Sequence, residues 1–278
     1  MPTKEKETTR RNGYYQYKDR QFPSVSTILK SAGNPGGLIN WAAQQGGMGV
    51  IWGLAGIKNS QELEERLKSP AAIEWAKEQA MIGMCAERDR TASFGKLVHF
   101  GIEAELKHDV VDFSGWNDDM KKALDTFIKW ETDTNVDVVA VEAEVFSPIH
   151  EFAGRLDAVL KIDEEVIAKL KPYLTKGSAV PVPGFVISDF KTGSMYPKSQ
   201  SVQLAAYRQA YLETYSRECN GGMIINIKRD APEKISCHYF SEVELAEAFE
   251  KGFLPAYQVW NFLDSPLWWN KQLTKGLL

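Results

Sequence analysis

The chain has 278 residues, of which 44% are hydrophobic and 25% charged, with a formal net charge of −4 at pH 7. That is enough chain to bury one substantial core, and the composition excludes a disordered or fibrous protein. No apolar run approaches the roughly 20 residues of a membrane-crossing helix, and the N-terminus lacks the apolar stretch of a secretory signal, so a soluble intracellular protein without a membrane partner is expected.

Met1 to Arg20 mixes Lys and Arg with Glu5, Glu7 and Asp19 and reads as a mobile tail, leaving residues 21–278 as a single domain. In that domain the pattern gives a helical N-terminal region at 21–135, a core at 92–240 and a C-terminal helix at 241–278. Phe22 to Leu29 carries the Pro and Ser punctuation of a short capped helix. Gly33 to Gly56 interleaves glycines with Trp41 and Trp52, but no Gly-Lys-Ser/Thr follows, so it lacks the residues of a nucleotide phosphate loop. Flexible helix junctions with packed tryptophans are the favoured reading there. Gln61 to Leu106 has helical spacing, with Ile73, Trp75, Ala76, Ala80 and Met84 as its apolar positions, and a further helix is expected over Asp118 to Thr132.

The pattern then switches to period two. Val139 to Phe146, Phe152 to Ile162 and Phe185 to Lys191 read as successive strands, Ser199 to Tyr215 as a helix, and Gly222 to Lys228 as a fourth strand. Ile235 to Phe240 is expected at a sheet edge, and Ser241 with Glu244 forms a capping box for a last long helix. This order predicts an α/β fold with a mixed central sheet flanked by helices. Residues 163–184 are too long for a hairpin turn and are expected to be a surface insertion.

Cys85, Cys219 and Cys237 lack paired spacing, which indicates neither a disulfide framework nor a zinc or iron-sulfur cluster. The net negative charge does not decide against nucleic acid, because a local basic groove suffices for binding.

The unusual segment is Val186 to Lys191, where an acid and a base stand two apart in an otherwise apolar strand. Alternation puts Asp189 and Lys191 on one face, roughly 6 to 7 Å apart. A second lone carboxylate, Asp157, interrupts the strand Gly154-Arg155-Leu156-Asp157-Ala158-Val159-Leu160. Two acids and a lysine suit phosphodiester hydrolysis, which needs a cation on the phosphoryl oxygens, an in-line water and something to offset the developing charge. Asp157 and Asp189 would hold Mg²⁺ or Mn²⁺, with the backbone carbonyl of Phe190 as an added ligand. Lys191 would orient or deprotonate the water.

Around this set, His99 and Glu103 share a helix face, and either could reach the metal; His99 reads equally well as a core histidine. Glu144, one strand earlier, could bind metal or only pair with a lysine. Gln203 and Tyr207 project from one helix face and could touch a nucleotide, while Tyr207 with Leu204 and Tyr211 also fits simple packing on the sheet. Lys198, Arg208, Lys228 and Arg229 are candidate phosphate contacts, and Trp268 and Trp269 are candidates for stacking or for packing.

Gly95-Lys96-Leu97-Val98-His99, Gly154-Arg155-Leu156-Asp157, Asp189-Phe190-Lys191-Thr192-Gly193 and Gln203-Leu204-Ala205-Ala206-Tyr207, in this order, resemble the PD-(D/E)xK nuclease superfamily, specifically its RecB-type and bacteriophage-type exonucleases. Pro23 to Leu29 followed by Leu38-Ile39-Asn40-Trp41 is similar to the N-terminal region of phage and mitochondrial members, so the resemblance runs from about Phe22 to Lys228. It implies a restriction-endonuclease-like core of αβββαβ order. It also implies His99, Asp157 and Asp189 as metal-binding catalytic residues, Lys191 as the catalytic lysine, and Gln203 and Tyr207 as support for site or substrate. Two departures stand out: the long gap between Asp157 and Asp189, and the absence of a cysteine quartet, which removes the iron-sulfur cluster of some relatives.

The expected activity is that of a Mg²⁺-dependent exodeoxyribonuclease, with Mn²⁺ able to substitute, in recombination, replication or phage DNA processing. DNA is the expected partner, a recombination or single-strand-annealing protein a further one, and a bacterial host cytoplasm the setting. The competing readings are a non-catalytic DNA-end binding module and a restriction-type endonuclease.

Overall fold

The computed structural model describes residues 10–11, 13–31, 35–69 and 71–263. Trp268 and Trp269, and the side chains of Leu38, Ile39 and Asn40, lie outside the described residues. The chain divides into two compact units, residues 33–96 and residues 1–32 with 97–278, where the sequence reads as one domain.

In the unit of residues 33–96, the glycine-rich stretch is one helix. Helix α1 (Val25–Ser31) precedes it in the chain; the glycine-rich helix itself is α2 (Pro35–Ala55), and α3 (Ser60–Lys68) and α4 (Ala72–Lys107) follow. A Cβ on Gly83 would come within 2.5 Å of the Gly49 Cα, so these glycines let the backbones of α2 and α4 touch. That close approach, rather than flexibility, is what the glycines serve. Trp52 is exposed and Trp41 half-buried, so the expected packed tryptophans are not found.

The other unit opens with strands β1 (Arg10–Arg11), β2 (Tyr14–Tyr17) and β3 (Arg20–Pro23), an antiparallel sheet where a tail was expected. Its anchor is aromatic: Tyr15 and Phe22 are buried against Phe146 and Ala153. Ser24 then starts α1, its hydroxyl accepting the Thr27 amide at 3.1 Å.

Helix α5 (Asp118–Thr134) leads into the main sheet of β4 (Asp137–Ser147), β5 (Phe152–Ile162), β6 (Gly184–Lys191), β7 (Gly221–Ile227) and β8 (Ile235–Ser241). The strands lie in the order β4-β5-β6-β7-β8, antiparallel except for the parallel pair β6–β7. A parallel neighbour requires a crossover, and α7 (Pro197–Tyr215) supplies it. Alternation along β6 sends Ile187 into the core beneath α7, while Phe190 meets Phe127 of α5 on the other face. The mixed sheet flanked by helices is thus the fold class expected from the pattern. No helix among the described residues is long and apolar enough to cross a membrane.

The insertion is more than surface chain. Its helix α6 (Glu164–Leu170), capped by Asp163, buries Val166, Ile167 and Leu170. Beyond it, Thr175 and Ala179 donate their amides to the carbonyls of Cys237 and Tyr239, so this strap covers the open edge of β8. The Ser241–Glu244 capping box forms as expected, but the helix it starts is interrupted. Helix α8 (Glu242–Ala248) passes through a wide turn at Phe249–Phe253 into α9 (Leu254–Leu263).

Candidate active site

The site forms where two strands part. The β5–β6 ladder runs from Ile162–Gly184 to Ala158–Ser188, and one step further Asp157 and Asp189 stand across from each other. There the side chain replaces the ladder: Asp157 Oδ2 accepts the Phe190 amide at 2.7 Å. On an extended strand a residue's N–H and C=O point to one edge, so the Phe190 carbonyl faces the same gap. Both acids are withdrawn from solvent, Asp189 at 2% exposure and the Asp157 side chain at 15%. Burial, and then the neighbouring Asp189 charge, push the Asp157 carboxyl well above its ordinary range, against the pull of the Phe190 amide and Lys191.

Helix α4 brings His99 to this gap, with Nδ1 3.8 Å from Asp157 Oδ2 and its ring set edge-on to Phe190. Burial lowers its pKa against the raising influence of Asp189, favouring the neutral ring that a metal ligand requires. Lys191, two residues beyond Asp189 on the same strand face, ion-pairs with the Asp189 carboxylate. Lys191 Nζ also donates to Gln203 Oε1 at 3.3 Å, and Gln203 Nε2 donates to the Tyr207 hydroxyl at 3.2 Å.

That relay explains two further residues. Tyr207 is buried, and Leu204 and Tyr211 pack beside it in the core, so it serves both packing and the relay. Gly154 makes room for it: a Cβ there would stand 2.4 Å from Tyr207 Cε1. The relay that ends on Lys191 thus packs against a glycine three residues before Asp157.

The remaining candidates divide. Glu103 is paired with Lys107 at 2.5 Å. Glu144 stands opposite Arg155 in the register, and its backbone carbonyl accepts the Tyr215 hydroxyl. The acid that faces Asp157 across β4–β5 is Glu142, which lies between the pairs Val141–Ala158 and Ala143–Leu156. Its φ is +52°, a conformation that side chains other than glycine and asparagine rarely adopt, and its Oε2 lies 2.5 Å from Arg155 Nε. Burial raises its pKa and Arg155 opposes this. Glu142 and Glu144 share one alternating face in the sequence, so spacing alone could not choose between them; the register does.

Arg208 is structural, donating to the Cys219 carbonyl at 2.7 Å and pairing with Glu242. Arg229 pairs with Asp230, while Lys198 and Lys228 are exposed. Cys219 and Cys237 are buried thiols pushed up to about 12 by burial, whereas Cys85 is half-exposed.

Among the described residues, no three His, Cys, Asp or Glu side chains converge as a ready cation site. In the structure an ammonium sits on Asp189, and an amide sits on Asp157 Oδ2. The donor chemistry nevertheless fits a hard divalent cation, since two apposed carboxylates, a backbone carbonyl and an imidazole border one gap. Such a gap can bind a cation and, through it, an anionic phosphate ester.

No protein-family model and no curated protein matches the chain. Among solved structures, one from Eubacterium rectale provisionally named an exonuclease aligns at 9% identity and a TM-score of 0.39, covering 60% of this chain and 66% of that one. The chain thus spans just under two thirds of that protein's length. A second, named SSO0001, aligns at 13% identity and a TM-score of 0.31, covering 81% of this chain and 95% of that one. Neither likeness is close enough to carry an argument about this chain.

Proposed function

We propose that this protein is a metal-dependent nuclease that hydrolyses phosphodiester bonds, specifically an exodeoxyribonuclease acting on DNA ends in recombination, replication or phage DNA processing. The observation that carries the reading is the apposition of Asp157 and Asp189 where β5 and β6 part, with Lys191 held against Asp189. Two carboxylates facing each other, one buried and one largely withdrawn from solvent, are costly without a cation between them. Asp157, Asp189, the Phe190 carbonyl and His99 are the groups that would hold Mg²⁺, for which Mn²⁺ can substitute. A bound ion would supply charge neutralisation at the phosphoryl oxygens and a more acidic water.

The chain's own groups do the rest. Lys191, anchored by Gln203, presents its ammonium beside the carboxylates, where it orients the attacking water and offsets negative charge on the phosphoryl group. Gln203 and Tyr207 are positioning residues, because each acts through the next along the relay.

The test incubates linear and closed circular DNA, single- and double-stranded, with Mg²⁺, Mn²⁺ or EDTA, using wild type, Asp189→Asn and Lys191→Ala. Metal-dependent loss of linear DNA alone, abolished in both variants, is the expected result. Cutting of closed circles would make the protein an endonuclease. Equal DNA binding by all three proteins with no cutting would replace the enzyme reading with a DNA-end binding module.

A further inference from the structure

Of the acids around the gap, Glu142 is the one whose backbone conformation is costly. Its φ of +52° lies in the left-handed region, and it stands across β4–β5 from Asp157. After burial and Asp189, its charge also pushes the Asp157 carboxyl up, which puts it within electrostatic reach of the gap. The Glu142 side chain is 15% exposed and that of its partner Arg155 is 51%, so the acid is withdrawn while the guanidinium is open to solvent.

The ion pair does not repay the conformation. A left-handed residue with a β-carbon costs the folding equilibrium about ten-fold, and a half-exposed ion pair returns at most about five-fold. Backbone conformations kept at such a loss cluster at functional sites.

Arg155 lies two residues before Asp157, roughly 6 to 7 Å along β5. Glu142 Oε2 lies 2.5 Å from its Nε, and among the described residues this is the one ion pair Arg155 makes. Because the acid meets Nε, the N–H groups of the two terminal nitrogens, which form the fork that matches phosphate oxygens, are left for another partner. Lys191 holds the other flank, on β6, bound to Asp189 and Gln203. The gap thus has one cation on each strand: Lys191 turned to the carboxylates, and Arg155 open to water. Glu144, opposite Arg155 in the register, adds a second acid beside it. This guanidinium therefore suits a phosphate held there by the rest of a DNA strand rather than a free phosphate ion.

Within the nuclease reading, on which this rests, we infer that Arg155 binds the backbone phosphate next to the one being cleaved, and that Glu142 is a positioning residue holding its guanidinium in place.

The test has two arms, both on full-length protein. In the first, linear oligonucleotides are titrated into Asp189→Asn protein in EDTA over a range of salt, with and without Arg155→Ala. Loss of one phosphate contact should lower the slope of log Kd against log salt by about one, on every sequence alike. In the second, hydrolysis of linear DNA with Mg²⁺ is compared for wild type, Arg155→Ala, Glu142→Gly and the double variant. Arg155→Ala should raise KM at least about ten-fold while kcat changes less than about three-fold. A neutral methylphosphonate next to the scissile phosphate should reproduce that rise in wild type and add nothing to Arg155→Ala. Glu142→Gly should melt no lower than wild type, because glycine accepts the left-handed conformation, and should still raise KM; in the Arg155→Ala background it should add nothing. A purely structural ion pair would move stability but neither KM nor the salt slope, and that result overturns the inference. A Glu142→Gly effect on KM of equal size with and without Arg155 overturns the positioning role. An Arg155-dependent salt slope in a protein whose wild type cuts no DNA would leave the contact standing and remove the nuclease reading; DNA cutting by Arg155→Ala with a wild-type KM would do the reverse.

Discussion

Gly154→Ala should both destabilise the protein and impair its candidate site. The new Cβ would stand 2.4 Å from Tyr207 Cε1, 3.0 Å from Cδ1 and 3.4 Å from Val25 Cγ2. Carbon atoms in contact sit about 3.5–4.0 Å apart, so about 1 Å of movement must be found. The ring has little freedom: Tyr207 is buried and Gln203 holds its hydroxyl. Overpacking of this kind costs about 1–3 kcal/mol, or about 2–4 °C in Tm per kcal/mol for a chain of this order of size. A ring displaced by about 1 Å passes its shift through Gln203 to Lys191, and misplacement on that scale can cost about 10²-fold in rate. The assay is urea unfolding of wild type, Gly154→Ala, Tyr207→Leu and the double variant. If the Tyr207 ring is the obstacle, the alanine should cost little in the Tyr207→Leu background, giving a coupling energy of about 1–3 kcal/mol. A cost of the same size in both backgrounds, or none in wild type, would refute the assignment of Gly154 to ring clearance.

Asp157→Asn removes one of two apposed buried charges while keeping an oxygen for the Phe190 amide, so the metal-free variant should melt higher than metal-free wild type. Adding Mg²⁺ should stabilise wild type, by about 2.7 kcal/mol at a hundred times its Kd, and leave Asp157→Asn unmoved in differential scanning fluorimetry. With Cys219 and Cys237 pushed up to about 12, only about 10⁻⁴ of each is thiolate at pH 8, so a native-state thiol titration should find Cys85 reacting first and the other two only on unfolding. Burial lowers the pKa of His238, whose Nδ1 lies 2.6 Å from Thr175 Oγ1, while Glu244 opposes the shift. The unfolded chain therefore takes the proton first: this stability is complete above about pH 6.5 and is lost as pH falls toward the lowered value, a slope that His238→Asn should flatten in urea unfolding at pH 5 to 7.

Much of the fold was legible because its signals are local. Period-two runs placed the five strands of the main sheet to within a residue or two, and Ser241 with Glu244 announced its own cap. What escaped depends on partners distant in sequence. The strands at residues 10–23 are held by Tyr15 and Phe22 against Phe146 and Ala153, a contact no local window contains. Gly49, in the stretch that reads as flexible junctions, shows its use only when α2 and α4 are seen together, touching at Gly83. The insertion reads as surface because it is too long for a hairpin turn and rich in Lys and Pro; its place comes from the buried face of α6 and from backbone bonds to β8. In the candidate site, alternation correctly put Asp189 and Lys191 on one face, and helical spacing put Gln203 with Tyr207. It could not rank Glu142 against Glu144, since register is a property of two strands.

Asp189 and Lys191 are found paired on β6. A strand that carries two charges through a core must compensate them, and β6 does so internally, the ammonium of Lys191 resting on Asp189. On β5 the cation two residues from Asp157, Arg155, pairs with Glu142 instead; Asp157 is compensated by a backbone amide that the ladder has released and by a carboxyl displaced toward its neutral form. The pair therefore balances one positive charge against two acids, one of which ionises only at a cost. A divalent cation would reverse this imbalance, allowing both carboxylates to ionise and freeing Lys191 from Asp189 while Gln203 still holds it. The relay from Tyr207 to Gln203 to Lys191 is what would keep the ammonium in place after that exchange.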